Sequence, residues 1–451
     1  MDNPKELFER ALKRVLPTLD RIVRIQKEPW TVYRRSGENS WSSATEERPD
    51  LLRTLVTAEH LIEQEAEPIR DWLQNEHSHY LGQIHLYGMN STPSQSKTYP
   101  LAQLLDAYWR TYKTFALADD RVTAIAESSL EVIKTNRVKV RVVAPLRNLV
   151  TAVHDIKLTN ELSLFQMSEE LITQLHGGPV WSALMNRRST FFLFEDHALT
   201  GETDIALQFG APTDPVDLSQ LSLHPELNRA ILAMRLLKDG AVAYDRIHHS
   251  FIGFSPVPAN FPTTIAPEAP LSLYDLSQSD AEQLPSIVSQ LDQSSDQAFY
   301  LAARRLSDAQ LRTSPEDRIL DAVTGLEAIL LSAIYNAEDR GEKSYRCSLH
   351  YACLGNSPDD KMQRFRTLKD LYGHRSTIAH GDLLGNSLKV GSKKKLSPKD
   401  VSDLACAALR ETLMHFLPHL QEAPFRKMEY WYGLIFGQSA STGQSDSVAD
   451  E

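Results

Sequence analysis

The chain is short of cysteine, of long apolar runs and of positive charge. Its three cysteines, Cys347, Cys353 and Cys406, make no CxxC pair and build no disulfide framework. No apolar run approaches the roughly 20 residues that a membrane-spanning helix needs. The nearest, AILLSAIY at Ala328–Tyr335, is far too short. The N-terminus is charged and holds no secretory apolar segment, so the expected location is the reducing cytoplasm. A formal net charge of −11 argues against a general polyanion binder. GxSxG, HExxH and GxGxxG are all missing. GEKS at Gly341–Ser344 copies the end of a P-loop but has neither the upstream glycine nor a leading strand. His77, His79 and His85, and the pair His248–His249, have no Cys or carboxylate at ligand spacing and read as surface histidines. Neither a cofactor nor a metal is expected.

At 451 residues, two domains are the default. The expected fold class is α+β: an N-terminal mixed α/β region followed by an all-helical bundle. Apolar residues at helical spacing run from Leu7 to Val23, with Pro17 set to break or kink them. Glu28–Glu47 is polar, with Trp30, Tyr33 and Trp41 among Ser, Gly and Asn, and reads as a loop. Leu51–Leu73 reads as one amphipathic helix, bent at Pro68, and Leu101–Ile133 as a second helical region beyond a connector at Asn90–Lys97. Tyr108, Trp109, Tyr112 and Phe115 are read as packing rather than as a base-stacking platform.

At Arg137 the period changes to two, and RVKVRVV is a strand with one wet face. Further strands are expected at Glu161–Phe165, Thr190–Glu195 and Ile205–Phe209. Helices are expected at Ser168–Leu175, opened by a Ser cap, and at Glu226–Leu237. Six prolines between 251 and 286 suggest a linker or a stretch draped over the surface, and the domain boundary is placed there. Helices are then expected at Pro285–Leu311, Pro315–Tyr335, near Lys343–Leu354, at Lys361–Ala379 and at Pro398–Leu417. The divisions are 1–135 helical, 136–255 mixed α/β, 256–284 linker, 285–420 helical domain, and 421–451 a C-terminal segment ending in a disordered polar tail.

The stretch that carries chemistry is KDLYGHRSTIAHGDLLG at Lys369–Gly385. Arg375 is a permanent cation with a planar fork suited to phosphate. His380 is the side chain able to take and give protons near neutrality. Five residues turn an ideal helix by about 500°, so the two stand roughly 140° apart, whereas Ser376 and His380 share a face. Either Arg375 curls over a turn, or a second chain completes the pair across a two-fold axis. Between Lys361 and Lys399 ten Lys and Arg stand against Asp370 and Asp382, a balance of +8. Lys369, Lys393, Lys394 and Lys395 lie in this window, which is either an RNA-backbone patch or a solvated loop. His380–Gly381 also reads as a plain helix cap. Glu327 sits beside an apolar stripe and needs a cation; Arg375 is the expected partner, with a lysine or solvent as the alternative.

Leu371, Tyr372, Arg375, Ser376, His380 and Gly381 resemble the LYxxRSxxxHG signature of the Apea-like branch of the HEPN superfamily. Arg304–Ala333, with SPEDR at Ser314–Arg318 and LEA at Leu326–Ala328, is similar to the first two helices of that domain. The likeness covers about a third of the chain, with a fainter one from Lys139 to Phe254. It implies a HEPN-like bundle over 285–420, a homodimer, and either of two functions. One is a metal-independent endoribonuclease leaving 2′,3′-cyclic phosphate and 5′-OH ends, used in antiphage defence or stress response. The other is a non-catalytic RNA- or nucleotide-binding module. Arg375 and His380 would be catalytic, with Ser376, Glu327 and Tyr372 in support. Ser376 stands where many HEPN ribonucleases have Asn, Asp or His.

Overall fold

A computed structural model describes residues 3–37, 40–78, 97–176, 178–179, 196–206, 224–244, 246–254, 260–264, 272–293, 295–334, 342–391 and 394–437. The fold is α+β. It divides into two compact units: Met1–Leu146 with His154–Leu227 and Tyr244–Ala266, and Arg147–Val153 with Asn228–Ala243 and Pro267–Glu451. The expected strand at 190–195, most of the 90–97 connector, and the tail from 438 lie outside the described residues.

The first unit opens on the Pro4–Ile25 helix, capped by Asn3, which runs on through Pro17 and buries Phe8, Leu12, Val15, Leu16 and Leu19. The segment expected as a loop is instead an antiparallel hairpin, Lys27–Gly37 with Ser40–Pro49. What holds it is distant in sequence. The Tyr33 amide donates to Thr173 Oγ1 at 3.0 Å, the Arg35 amide to Glu169 Oε1 at 2.8 Å, and the Trp41 indole to Asp196 Oδ1 at 2.6 Å. The expected 51–73 helix is two, Leu51–Thr57 and Glu59–Glu76, which share Ala58 as the end of one and the start of the next. The 101–133 region is also two, Leu101–Tyr112 and Asp119–Thr135, because Lys113 turns left-handed at φ 53°. Tyr108 is buried and donates to the Ala116 carbonyl at 2.6 Å, so this cluster packs.

The Arg137–Pro145 strand is central in a six-stranded antiparallel sheet. The order is Asn260–Thr264, Arg246–Ile252, Arg137–Pro145, His197–Ala206, Leu162–Gln166, Asp155–Lys157. Val138, Val140 and Val142 are buried, while Arg137, Lys139 and Arg141 face water, as a period of two requires. The proline-rich stretch is not a plain linker. Among its described residues it supplies the Asn260–Thr264 strand, the short Tyr274–Leu276 strand and the start of a helix.

In the second unit that helix begins at Gln278 with a Ser277/Asp280 capping box, and Pro285 lies inside it. A separate helix follows at Gln297–Leu311, so the expected 285–311 helix is two. Three later helices open on Ser–Pro: Pro315–Leu330, Pro358–Ala379 and Pro398–Phe416. In each the serine oxygen accepts an amide from the first turn, and the proline occupies a position whose N–H would be unpaired anyway. Three helices meet at Gly325. A Cβ there would lie 2.6 Å from Leu409 Cδ2, 3.1 Å from Arg305 Cβ and 3.2 Å from the Ala302 carbonyl oxygen. This close approach fixes the turn of helix that carries Glu327. The Met428–Phe436 helix buries Trp431, whose ring stacks on His350 with centroids 4.1 Å apart.

Candidate functional site

The Pro358–Ala379 helix organises the site. Leu368 and Leu371 anchor its buried side. Tyr372 and Arg375, three residues apart, reach toward Glu327 on the Pro315–Leu330 helix. The Tyr372 hydroxyl donates to Glu327 Oε1 at 2.6 Å, and Arg375 Nη2 comes within 3.4 Å of Oε2. Arg375 is thus the cation beside the buried carboxylate. Its guanidinium carbon lies 5.8 Å from the centre of the Tyr372 ring, a cation–π distance. Burial, and then the hydrogen bond to Glu327, push the Tyr372 phenol far above its usual value, so it remains a donor.

Arg375 is held by its charge against Glu327 and the Tyr372 ring, without a hydrogen bond among the described residues. Its side chain is 31% exposed, its approach to Glu327 does not have hydrogen-bond geometry, and its Nε is buried with no partner. A guanidinium offers five N–H donors. Here they stay unspent among the described residues.

His380 ends the same helix. Its backbone is still helical, at φ −86° and ψ 0°. Gly381 follows at φ +87°. The Gly381 amide donates to the Ile378 carbonyl at 2.9 Å and the Asp382 amide to the Thr377 carbonyl at 3.1 Å. These two bonds make a Schellman cap, so the cap reading of His380–Gly381 is satisfied in full. The imidazole is exposed. Because the helix stays regular to His380, the angular spacing of an ideal helix applies. Lys369, Ser376 and His380 fall within about 40° of one another on the outer side, and Arg375 stands about 140° from His380. One chain therefore turns the guanidinium to Glu327 and the imidazole to solvent. Helical spacing sets the two residues on different sides of the helix.

The basic window is arranged by a short hairpin, Leu388–Val390 with Lys394–Leu396. Leu388 and Val390 point inward, and Lys389 and Lys395 stand directly opposite each other, both exposed. The hairpin is tied to the Pro358–Ala379 helix at two points. His374 Nε2 donates to the Lys389 carbonyl at 3.0 Å, and the Gly391 amide to Asp370 Oδ2 at 2.9 Å. Lys369 is exposed on the helix. Lys393 lies outside the described residues, and of Lys394 only the backbone is described. Not every cation in the window is available: Arg364 is engaged by Asp360 at 3.0 Å and Glu411 at 2.5 Å.

A cleft of about 340 Å³ opens beside Glu327. Its walls include Gln297 and Leu301 from one helix, Thr324, Glu327 and Ala328 from the next, and Arg426 from the turn before Met428. This cleft is not legible in the sequence. Thr324, Glu327 and Ala328 do stand at i, i+3 and i+4, which marks one helix face, but Gln297 and Arg426 are too far away in sequence to be linked to it.

His77 ends a helix with its ring 5.1 Å from Trp72, while His79 and His85 lie outside the described residues. His248 and His249 are neighbours on one strand and face opposite sides of the sheet. Among the described residues there is no group of three or more His, Cys, Asp and Glu able to hold a metal ion. No described helix is long and apolar enough to cross a membrane. Comparison with known families, with curated proteins and with solved structures gives no match.

Proposed function

We propose that the second unit is a metal-independent, HEPN-type endoribonuclease, acting in the cytoplasm on RNA as a homodimer. The observation that carries this reading is Arg375: a part-exposed guanidinium, steadied by Glu327 and Tyr372, with its hydrogen-bond donors unused. Such a group is poised for the non-bridging oxygens of a phosphodiester. The exposed lysines 369, 389 and 395 supply positive potential for the RNA backbone.

Two copies complete the chemistry. Across a two-fold axis, the Arg375 and His380 side chains of both copies line one cleft. One His380 takes the proton from the ribose 2′-hydroxyl as that oxygen attacks phosphorus. The bond from phosphorus to the 5′-oxygen breaks, and the second His380, protonated, gives its proton to that oxygen. Arg375 stabilises the charge on the pentacoordinate phosphorus. The products are a 2′,3′-cyclic phosphate and a 5′-hydroxyl.

One observation favours a second reading, a non-catalytic RNA-binding module. No described group hydrogen-bonds the His380 ring to orient it, and the Schellman cap already accounts for the His–Gly pair. The experiment is incubation of the full chain with RNA and with DNA, both in EDTA. The nuclease reading expects RNA alone to be cut, and cutting to fall by about 10²–10⁴ in His380→Ala. Arg375→Lys, which keeps the charge but loses the fork, should fall as well. Salt-sensitive RNA binding without cleavage, lost in Arg375→Ala and kept in His380→Ala, selects the binding module. Neither cleavage nor binding removes both.

A further inference from the structure

We propose that the cleft beside Glu327 is a guanine-nucleotide site, in which the Glu327 carboxylate takes the edge of the base and Arg426 the phosphate. The choice of a nucleotide rests on the RNA reading above; the choice of guanine rests on the cleft itself.

Size comes first. About 340 Å³ lies at the low end of small-ligand sites and suits one nucleotide. The acceptors come next. A carboxylate has about four lone-pair sites. On Glu327, Tyr372 occupies one on Oε1, and Arg375 approaches one on Oε2. Each oxygen keeps a second lone-pair site, and Glu327 lines the cleft. Thr324 adds another acceptor, because its hydroxyl proton is already given to the Leu320 carbonyl at 2.7 Å.

A wall of paired acceptors selects among the bases. Guanine alone presents two adjacent donors, N1–H and the 2-amino group, on its Watson–Crick edge. Adenine and cytosine place a ring acceptor beside their amino group, which would face the carboxylate with its lone pair. Uracil has one donor between two acceptors. Leu301, 44% exposed at the rim, and Ala328 give the flat faces of the base apolar surface. Arg426 binds Asp296 through Nε at 2.5 Å and is itself exposed, so its remaining N–H groups can meet a phosphate. Glu327 both lines this cleft and lies beside Arg375. Donors arriving from the cleft use the lone pairs that Tyr372 and Arg375 leave, so the base and the guanidinium are held by one side chain.

The test is calorimetric titration of the full chain with GMP, IMP, AMP and guanosine. GMP should bind once per chain. IMP, which lacks only the 2-amino group, should bind at least about tenfold more weakly. AMP should not saturate, and guanosine should be weaker than GMP. Leu301→Trp places an indole in the cleft from an exposed position; it should abolish GMP binding and leave the unfolding midpoint in place. Equal binding of GMP and AMP, no GMP binding at millimolar concentration, or binding untouched by Leu301→Trp would each overturn the proposal. His380→Ala keeps the two readings apart, since it should stop RNA cleavage and leave GMP binding whole. GMP binding without any RNA cleavage rejects the nuclease and keeps the cleft; RNA cleavage without GMP binding does the reverse.

Discussion

Tyr372 closes on Glu327 at 2.6 Å, while Arg375, one helical turn further along, stays 3.4 Å from the other carboxylate oxygen. The tyrosine, not the arginine, makes the hydrogen bond that holds the buried acid. A neutral donor therefore satisfies the carboxylate, and the cation beside it keeps its own donors.

Tyr372→Phe should then cost about 1–3 kcal/mol of stability, because it leaves a buried acceptor without its bond. Urea unfolding measures it. The loss should shrink when Glu327→Gln is already present, since the two residues form one unit. Strictly additive losses would show that the hydroxyl supports something else.

Gly325→Ala should be destabilising by about 1–3 kcal/mol, although alanine is the better helix former by about 1 kcal/mol. The new methyl would lie 2.6 Å from Cδ2 of the buried Leu409, and 3.1 Å and 3.2 Å from Arg305 Cβ and the Ala302 carbonyl oxygen, which cannot swing aside. Leu409→Ala should make the added methyl far less costly in a double-mutant cycle. A stabilised single variant would mean the three helices can part there.

Gly381→Ala should cost about 1 kcal/mol for a different reason. Nothing lies within 4 Å of the added carbon, so the cost is the positive φ and not a clash. Asn, which tolerates that conformation better, should recover part of it. If His380 needs the cap to stay in place, RNA cleavage should fall in the Ala variant and partly return in the Asn variant. A cleavage rate indifferent to both would detach His380 from the reaction.

His350 sets a pH limit on the C-terminal packing. Burial lowers its pKa, opposed in part by its bond to the Leu330 carbonyl at 2.6 Å. The folded value therefore lies below the unfolded one of about 6.5. Its contribution to stability is complete above about pH 6.5 and is lost as pH falls from there through the lowered folded value. Because the ring stacks on Trp431, tryptophan fluorescence should report loosening on acidification. His350→Phe should keep the stack and flatten that part of the pH profile. An unchanged profile would place the acid sensitivity elsewhere.

The legible parts of this fold are those where a local pattern and the tertiary contacts agree. RVKVRVV has a period of two that the sheet uses residue by residue, and each Ser–Pro helix start carries its own cap. Glu327 was legible through the cost of burying a lone carboxylate, and that argument leads to Arg375. The Trp30–Trp41 hairpin was not. Its residues are polar and mixed, and it is fixed by Thr173, Glu169 and Asp196, which stand more than 130 residues away. The proline-rich segment does hold a division between the two units, at Ala266/Pro267, but its strand and helix are not legible because Pro262 and Pro285 lie within them, where proline is usually excluded. The cleft was hidden because its walls come from three separate stretches of chain.

Lys389 facing Lys395 across the short ribbon has a consequence for how that ribbon responds to salt. Two like charges directly opposite each other strain a strand pair, and added ions screen that repulsion. The ribbon should firm up as ionic strength rises, the opposite of a surface held by ion pairs, and amide exchange at Leu388 and Val390 should slow. A polyanion laid across the two ammonium groups would do the same at low salt, so the ribbon would be tightest when occupied.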